Sequence, residues 1–312
     1  MTMAESSGNR LSHRLQYSVL RSVAFCINLV PLRLALGFGA LLGWIAWSLL
    51  GIRRGVSLVN LSQAFPDRSL RELKRTGRAS YMNVGRFMME FARQDRVDRR
   101  YMDRFVEIAD PGRLEEIRSL GTGVIVLAFH FGNWELTGVA LKYLFGDVAF
   151  LVGEQHNGLV DEYINGLRAS QDIRLYTRDA ALRGVVESIR RKGMVCWLSD
   201  QDAGRNGLVV DFFGFPASTP RGGAAFAVKL GVPIWCIFLE RQKGPGHIFR
   251  SSGLLYPADG LTGTEAETEL TQRYTRVLEE MVSGSPEQYW WAHRRWKTTG
   301  LYRERDEGKA QG

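Results

Sequence analysis

Three cysteines in 312 residues leave little room for covalent cross-linking. Cys26, Cys196 and Cys236 each sit in an apolar run, where a free thiol behaves as a small hydrophobe. They cannot all pair, so no disulfide framework is expected and a reducing compartment fits. No Cys-x-x-Cys or Cys/His spacing suggests a zinc site. A Gly-x-Ser-x-Gly elbow, a Gly-x4-Gly-Lys-Ser/Thr loop, a Gly-x-Gly-x-x-Gly turn and a His-Glu-x-x-His pair are absent too. These gaps argue against a serine hydrolase of the common type, a P-loop nucleotidase and a zinc protease. Neither a metal nor a cofactor is expected, and no internal repeat or low-complexity stretch occurs.

What the chain has in excess is positive charge. Lys and Arg total 41 against 33 acids, a formal net charge of +8, and 34 of the cations are Arg. Hydrophobic residues at 45% and charged residues at 24% exclude wholesale disorder and a polytopic membrane protein. Such a surface favours anionic partners: phosphate groups, an anionic bilayer or an acidic carrier protein.

The chain divides by pattern into four parts: an N-terminal membrane anchor (1–54), a basic helical region packing on the core (55–110), an α/β core (111–302) and a disordered tail (303–312). Leu34 to Ile52 carries no charge over 19 residues. As a helix it reaches roughly 28 Å, just enough for a bilayer core of about 30 Å. Arg33, Arg53 and Arg54 flank it, and Trp44 and Trp47 sit where interfacial anchors do. With the shorter amphipathic stretch Val19 to Val30 it reads as an anchor, either one spanning helix or a helix lying in one leaflet; a buried core helix is the alternative. Gly39 and Gly43 form a Gly-x-x-x-Gly pair that can seat another helix. From Arg53 to Arg104, thirteen basic residues face six acids. Helices broken at Pro66 are expected there, with a solvated face that adheres to anionic lipid.

Beyond Pro111 the pattern becomes strand and helix in alternation. Strands are expected at 122–129, 148–152, 194–198 and 232–239, and helices at 134–144, 159–169, 180–192 and 221–230. The fold class is therefore α/β, with a mixed, largely parallel central sheet flanked by helices. Ligands collect at the carboxyl ends of such strands.

The first of those strands runs into His130-Phe131-Gly132-Asn133-Trp134-Glu135. His130 before a helix and Glu135 in its first turn can meet across the bend that Gly132 and Asn133 permit. Glu135 then accepts the Nδ1 hydrogen and leaves Nε2 to take a proton from a hydroxyl. The plainer reading is a turn histidine and a first-turn carboxylate favoured by the helix dipole. Asn133, or backbone N–H groups near Gly132, can donate to an oxyanion. Asp200, Gln201 and Asp202 follow a second strand at the same sheet edge, where they shape a polar pocket or bind a metal. Pro286 to Lys297 packs three tryptophans among cations. Stacking on nucleic acid, a membrane-interface helix, or a helix with its aromatic face on the sheet and its cations on phosphate all fit that composition.

HFGNWE at 130–135, DQD at 200–202, DFFG at 211–214 and PEQYWWAHRRWK at 286–297, in this order behind an apolar N-terminus, resemble the bacterial lipid A biosynthesis late acyltransferases, the lauroyl and myristoyl transferases, which are lysophospholipid-acyltransferase-like. The resemblance covers roughly residues 30 to 298. It implies transfer of an acyl chain from acyl carrier protein or acyl-coenzyme A to a hydroxyl of a lipid A precursor, an anionic glycolipid. His130 matches the general base of that family, Glu135 the acid of its His-x4-Asp/Glu pair, and Arg168 an arginine that contacts substrate. Upstream of Asn157, where members often carry Arg-Pro, stand Gly153, Glu154, Gln155 and His156. A related branch acylates phosphatidylinositol mannosides. On this reading Arg168, Arg205, Arg294 and Arg295 meet the phosphates of the glycolipid. The enzyme sits on the inner membrane with its site on the cytoplasmic side, and nucleic acid is not a partner. A non-catalytic membrane protein binding anionic lipid is the alternative from another class.

Overall fold

The computed structural model describes residues 7–153, 157–177 and 181–302. The tail expected at 303–312, the departure at 154–156 and the start of the helix expected at 180 lie outside the described residues. Eleven helices and nine strands are assigned among the described residues.

Strands β2 (Val124–Ala128), β3 (Val148–Leu151), β5 (Met194–Leu198) and β8 (Ile234–Arg241) occupy the apolar runs. Three further strands join their sheet: β1 (Val106–Ile108), β4 (Arg174–Tyr176) and β9 (His247–Leu255). The order is β1-β9-β8-β2-β5-β3-β4. All neighbours are parallel except β8 and β9, so the sheet is mixed and mostly parallel. A separate hairpin pairs β6 (Leu208–Phe212) with β7 (Phe215–Thr219). The DFFG segment is its turn: Phe213 and Gly214 both take positive φ, and Asp211 accepts from the Gly214 N–H.

The runs are unbroken because both faces of the sheet are covered. Ile125, Leu127, Val195, Trp197, Ile234 and Cys236 point to one core, under α9 (Ala181–Arg190), α10 (Gly222–Leu230) and α11 (Gly263–Gly284). Their neighbours Val124, Val126, Cys196, Trp235 and Ile237 point to the other, under α5 (Arg99–Phe105), α6 (Pro111–Arg118) and α7 (Trp134–Phe145). Cys196 and Cys236 are buried and unpaired, and burial pushes both thiols up to about 12.

The N-terminal 50 residues depart from a spanning anchor. Pro31 separates α1 (Ser7–Leu29) from α2 (Leu32–Ser48), and α2 stops after 17 residues. Among the described residues no helix is long and apolar enough to cross a membrane. One face of α2 is instead packed on α4 (Leu70–Phe91) through glycines. A Cβ on Gly39 would lie 2.3 Å from the Gly85 carbonyl oxygen, and one on Gly43 2.1 Å from that of Tyr81. The Gly-x-x-x-Gly pair thus seats a helix of the same chain. The opposite face leaves Leu34, Phe38, Leu41 and Leu42 exposed, and on α1 Val19, Val23, Phe25 and Leu29 are exposed as well.

Helices α3 (Arg54–Ala64) and α4 flank Pro66, and a Ser69/Glu72 capping box opens α4. Asn60, Leu61 and Ala64 face inward, and Met88 is exposed.

Candidate active site

His130 leaves the carboxyl end of β2 and is held from three directions. In the β2–β5 register Ala128 lies opposite Leu198, an offset of 70 positions that carries on to place residue 200 beside residue 130. Asp200 uses both oxygens there: Oδ2 accepts from the His130 backbone N–H at 3.0 Å and Oδ1 meets Nδ1 at 2.8 Å. Burial pushes the Asp200 carboxyl up, but the imidazole, its hydrogen bonds and Arg295 outweigh burial and hold it below the usual carboxylate range. An ionised acceptor fixes the tautomer. Nδ1 donates to Asp200, and Nε2 keeps its lone pair, 3.1 Å from Gln201 Nε2, which donates to it.

The turn after His130 requires glycine. Gly132 has φ +59°, and a Cβ there would lie 2.0 Å from the Leu239 carbonyl oxygen. Asn133 caps α7 by accepting from the Leu136 N–H at 3.0 Å, while its Nδ2 donates to Glu90 at 2.6 Å. Glu90 is buried in a fork with Arg241, whose Nε donates to Asn83. Burial pushes the Glu90 carboxyl up, but Arg241 and His247 outweigh it and keep it low.

Behind the loop runs the aromatic-basic motif, which is a 3-10 turn (Pro286–Gln288) and an irregular strap rather than a helix. The Trp290 N–H donates to the His130 carbonyl at 3.0 Å and the Gly132 N–H to that of Gln288 at 2.9 Å. Ser80 grips the Tyr289 carbonyl at 2.6 Å, and Asn60 those of Trp291 and His293 at 2.8 and 2.7 Å. Tyr289, Trp291 and Trp296 are core residues. Burial and the Asp200 charge raise the Tyr289 hydroxyl well above its ordinary value.

Several expected roles change with this geometry. Asp200, not Glu135, bonds the His130 ring, because the β2 and β5 ends are neighbours, whereas Glu135 lies in the first turn of α7. Glu135 pairs instead with Arg168, at the last turn of α8 (Gly158–Ala169), through two bonds of 2.6 and 3.0 Å. Asn133 spends its amide on the cap and on Glu90. The N–H groups of Phe131, Gly132 and Asn133 are taken by backbone carbonyls. None of these is free for an oxyanion. Asp202 faces away, binding Thr298 and the Gly204 N–H. Arg295 is 2% exposed and donates to Ser218 and Thr219, so it cannot meet a surface phosphate. Arg205 and Arg294 are exposed, the latter over the Tyr302 ring. No three His, Cys, Asp or Glu side chains gather to hold a metal among the described residues.

His130, Gln201, Glu135 and Arg168 open on one cleft of about 720 Å3. The rest of its wall is largely apolar: Phe91, Trp134, Phe150, Ile164, Trp197 and Leu198. A His ring bonded to a buried carboxylate in the wall of a largely apolar cleft suits activation of a hydroxyl beside an apolar group.

The chain is an acyltransferase by family: it belongs to the bacterial lipid A biosynthesis acyltransferase family, whose model matches residues 9–298. It is similar to the lipid A biosynthesis lauroyltransferase of Escherichia coli, 23% identical over 271 residues covering 86% of each chain. The palmitoleoyltransferase of lipid A biosynthesis from the same organism is 25% identical, over 83% of this chain and 84% of its own. A phosphatidylinositol mannoside acyltransferase of Mycobacterium tuberculosis is 27% identical over 176 residues, covering 53% of this chain and 55% of its own.

Proposed function

We propose that this protein transfers a fatty acyl group from a thioester, on acyl carrier protein or coenzyme A, to a hydroxyl of a lipid A precursor, with His130 as general base. The observation that carries the proposal is the His130 ring held by Asp200 in the wall of a cleft lined mostly by apolar side chains. The acceptor hydroxyl gives its proton to Nε2 as its oxygen bonds the thioester carbonyl carbon. The tetrahedral oxyanion collapses, the C–S bond breaks, and the leaving thiolate takes the proton back from the imidazolium. No covalent enzyme intermediate is required. The Gln201 amide, which donates to Nε2 while no acceptor is bound, is displaced when the acceptor hydroxyl takes its place there, and replaces Asn133 as the group assigned to the oxyanion. Arg168, braced by Glu135, is a cation for the anionic part of donor or acceptor.

The exposed apolar faces of α1 and α2 suit a helix pair lying in one leaflet of the inner membrane. The free thiols favour the cytoplasmic side. The phosphatidylinositol mannoside relative supports a second acceptor class with the same chemistry.

Purified protein given acyl carrier protein or coenzyme A thioesters and a lipid A precursor should yield a product heavier by one acyl chain. His130→Ala should lose at least a thousandfold in rate with its melting curve kept. Full activity in that variant would overturn the mechanism. Product from the mannoside acceptor alone would move the assignment to the second acceptor.

A further inference from the structure

Arg71, Lys74, Arg75 and Arg78 recur at the three- and four-residue spacing that puts side chains on one face of a helix, and all four are exposed on α4. Leu73 and Gly77, on the other face, are buried. The cationic face does not stand open as a ridge. The end of α2 and the start of α3 close over it, and Trp47, Ser48 and Arg54 complete a cleft of about 800 Å3. Arg54 is anchored there by donating to the Trp47 carbonyl at 3.4 Å.

The five cations in this wall face one carboxylate, Glu72, which is already taken by the Ser69 N–H and hydroxyl. Arg71, Lys74, Arg75 and Arg78 make no ion pair with any acid among the described residues. Side chains that repel one another hold a concave arrangement best when an anion sits among them. The rim says where the anion comes from. Leu49, Leu50 and Ile52, which follow the lining residue Ser48, are 66%, 66% and 50% exposed, and Leu70 in the wall is 56% exposed. Apolar side chains outside and cations just within reproduce the order met on passing from acyl chains to phosphate at a bilayer surface.

We propose that this cleft binds the phosphate of an anionic phospholipid headgroup, apart from the cleft at His130. The inference rests on reading the α1–α2 face as the membrane contact, and its test separates the two. Sedimentation of the full chain with phosphatidylcholine vesicles, and with the same vesicles containing phosphatidylglycerol, should show stronger binding to the anionic set. The triple variant Arg71→Gln/Arg75→Gln/Arg78→Gln should bind the anionic vesicles about a hundredfold more weakly while matching wild type on neutral ones. A control that removes three exposed cations elsewhere, Arg190→Gln/Lys229→Gln/Arg276→Gln, should change binding by less than about threefold. Equal binding of wild type to both vesicle sets leaves the membrane contact standing and overturns the headgroup site. Binding to neither overturns both. Equal losses in the two triple variants assign the effect to diffuse charge, and an intact vesicle affinity with weakened binding of acyl carrier protein assigns the cleft to the carrier; each overturns the proposal.

Discussion

Asp200 and Glu135 are carboxylates on either side of one loop, each within 3.0 Å of a nitrogen it holds, yet the loop uses them differently. Asp200 has a side chain only 1% exposed and spends both oxygens on a single residue, the backbone and ring of His130. Glu135 is part of the cleft wall and spends both of its oxygens on the Arg168 guanidinium. One pair fixes the ring proposed as the base. The other fixes a cation. Spacing along the chain places Glu135 five positions from His130 and Asp200 seventy away, and the seventy is the closer contact, because a parallel strand register converts a constant offset into adjacency.

Asp200→Asn is the sharpest way to break the comparison. An amide presents no ionised acceptor, the ring loses its fixed tautomer, and kcat should fall about 10²- to 10⁴-fold with little change in KM. A steady-state assay checks this, and a variant within a few-fold of wild type would return the orienting role to Glu135. A smaller effect concerns the layer beneath the loop. His247 is sealed against Glu90, and burial, with Arg241, pushes its pKa down from 6.5 to about 4. As pH falls through that window the unfolded chain takes up a proton that the folded chain refuses. The stability contributed by a neutral His247 is therefore complete above about 6.5 and lost towards 4. Thermal or urea unfolding should show His247 contributing a decline of about 2 kcal/mol between about pH 7 and pH 5, which His247→Leu removes, while His293, pushed down to about 4 by burial as well, leaves a decline of its own. The smallest effect belongs to Glu135→Gln. Arg168 keeps its charge but loses its brace, so KM should rise about tenfold with kcat nearly held. A loss confined to kcat would join Glu135 to the proton-transfer step.

Much of this arrangement was legible in the sequence where one face of an element carries the whole signal. β2, β3, β5 and β8 are apolar on both sides and stand out as runs. β1 and β4 are three-residue edge strands with nothing to mark them. β9 reads HIFRSSGLL, polar on a half-exposed face, and escapes for that reason. Helix α11 was available and unread: Ala266, Leu270, Tyr274 and Leu278 recur every four residues and are all buried. In the site, His130 and its turn follow from a buried strand meeting Gly132 and Asn133. The partner of the ring does not, since two strand ends at one sheet edge become neighbours only when strand order is known. The tryptophans of 290, 291 and 296 show the converse limit. Aromatics among cations suit a membrane or nucleic-acid surface by composition, and here two of the three are sealed in the core, while Arg295 is buried and donates to the hairpin beside it.

The strap formed by Gln288 to Trp291 has a consequence for the order in which the molecule is made. Asn60 and Trp291 are 231 positions apart, and Ser80 and Tyr289 are 209 apart, so the loop bearing His130 leaves the ribosome long before its support exists. Contacts of such long range form late in folding. A nascent chain can therefore lay down β2, β3 and β5 and still lack a seated His130 loop, whose geometry arrives with the strap at 288–291 rather than with the residues of the loop itself.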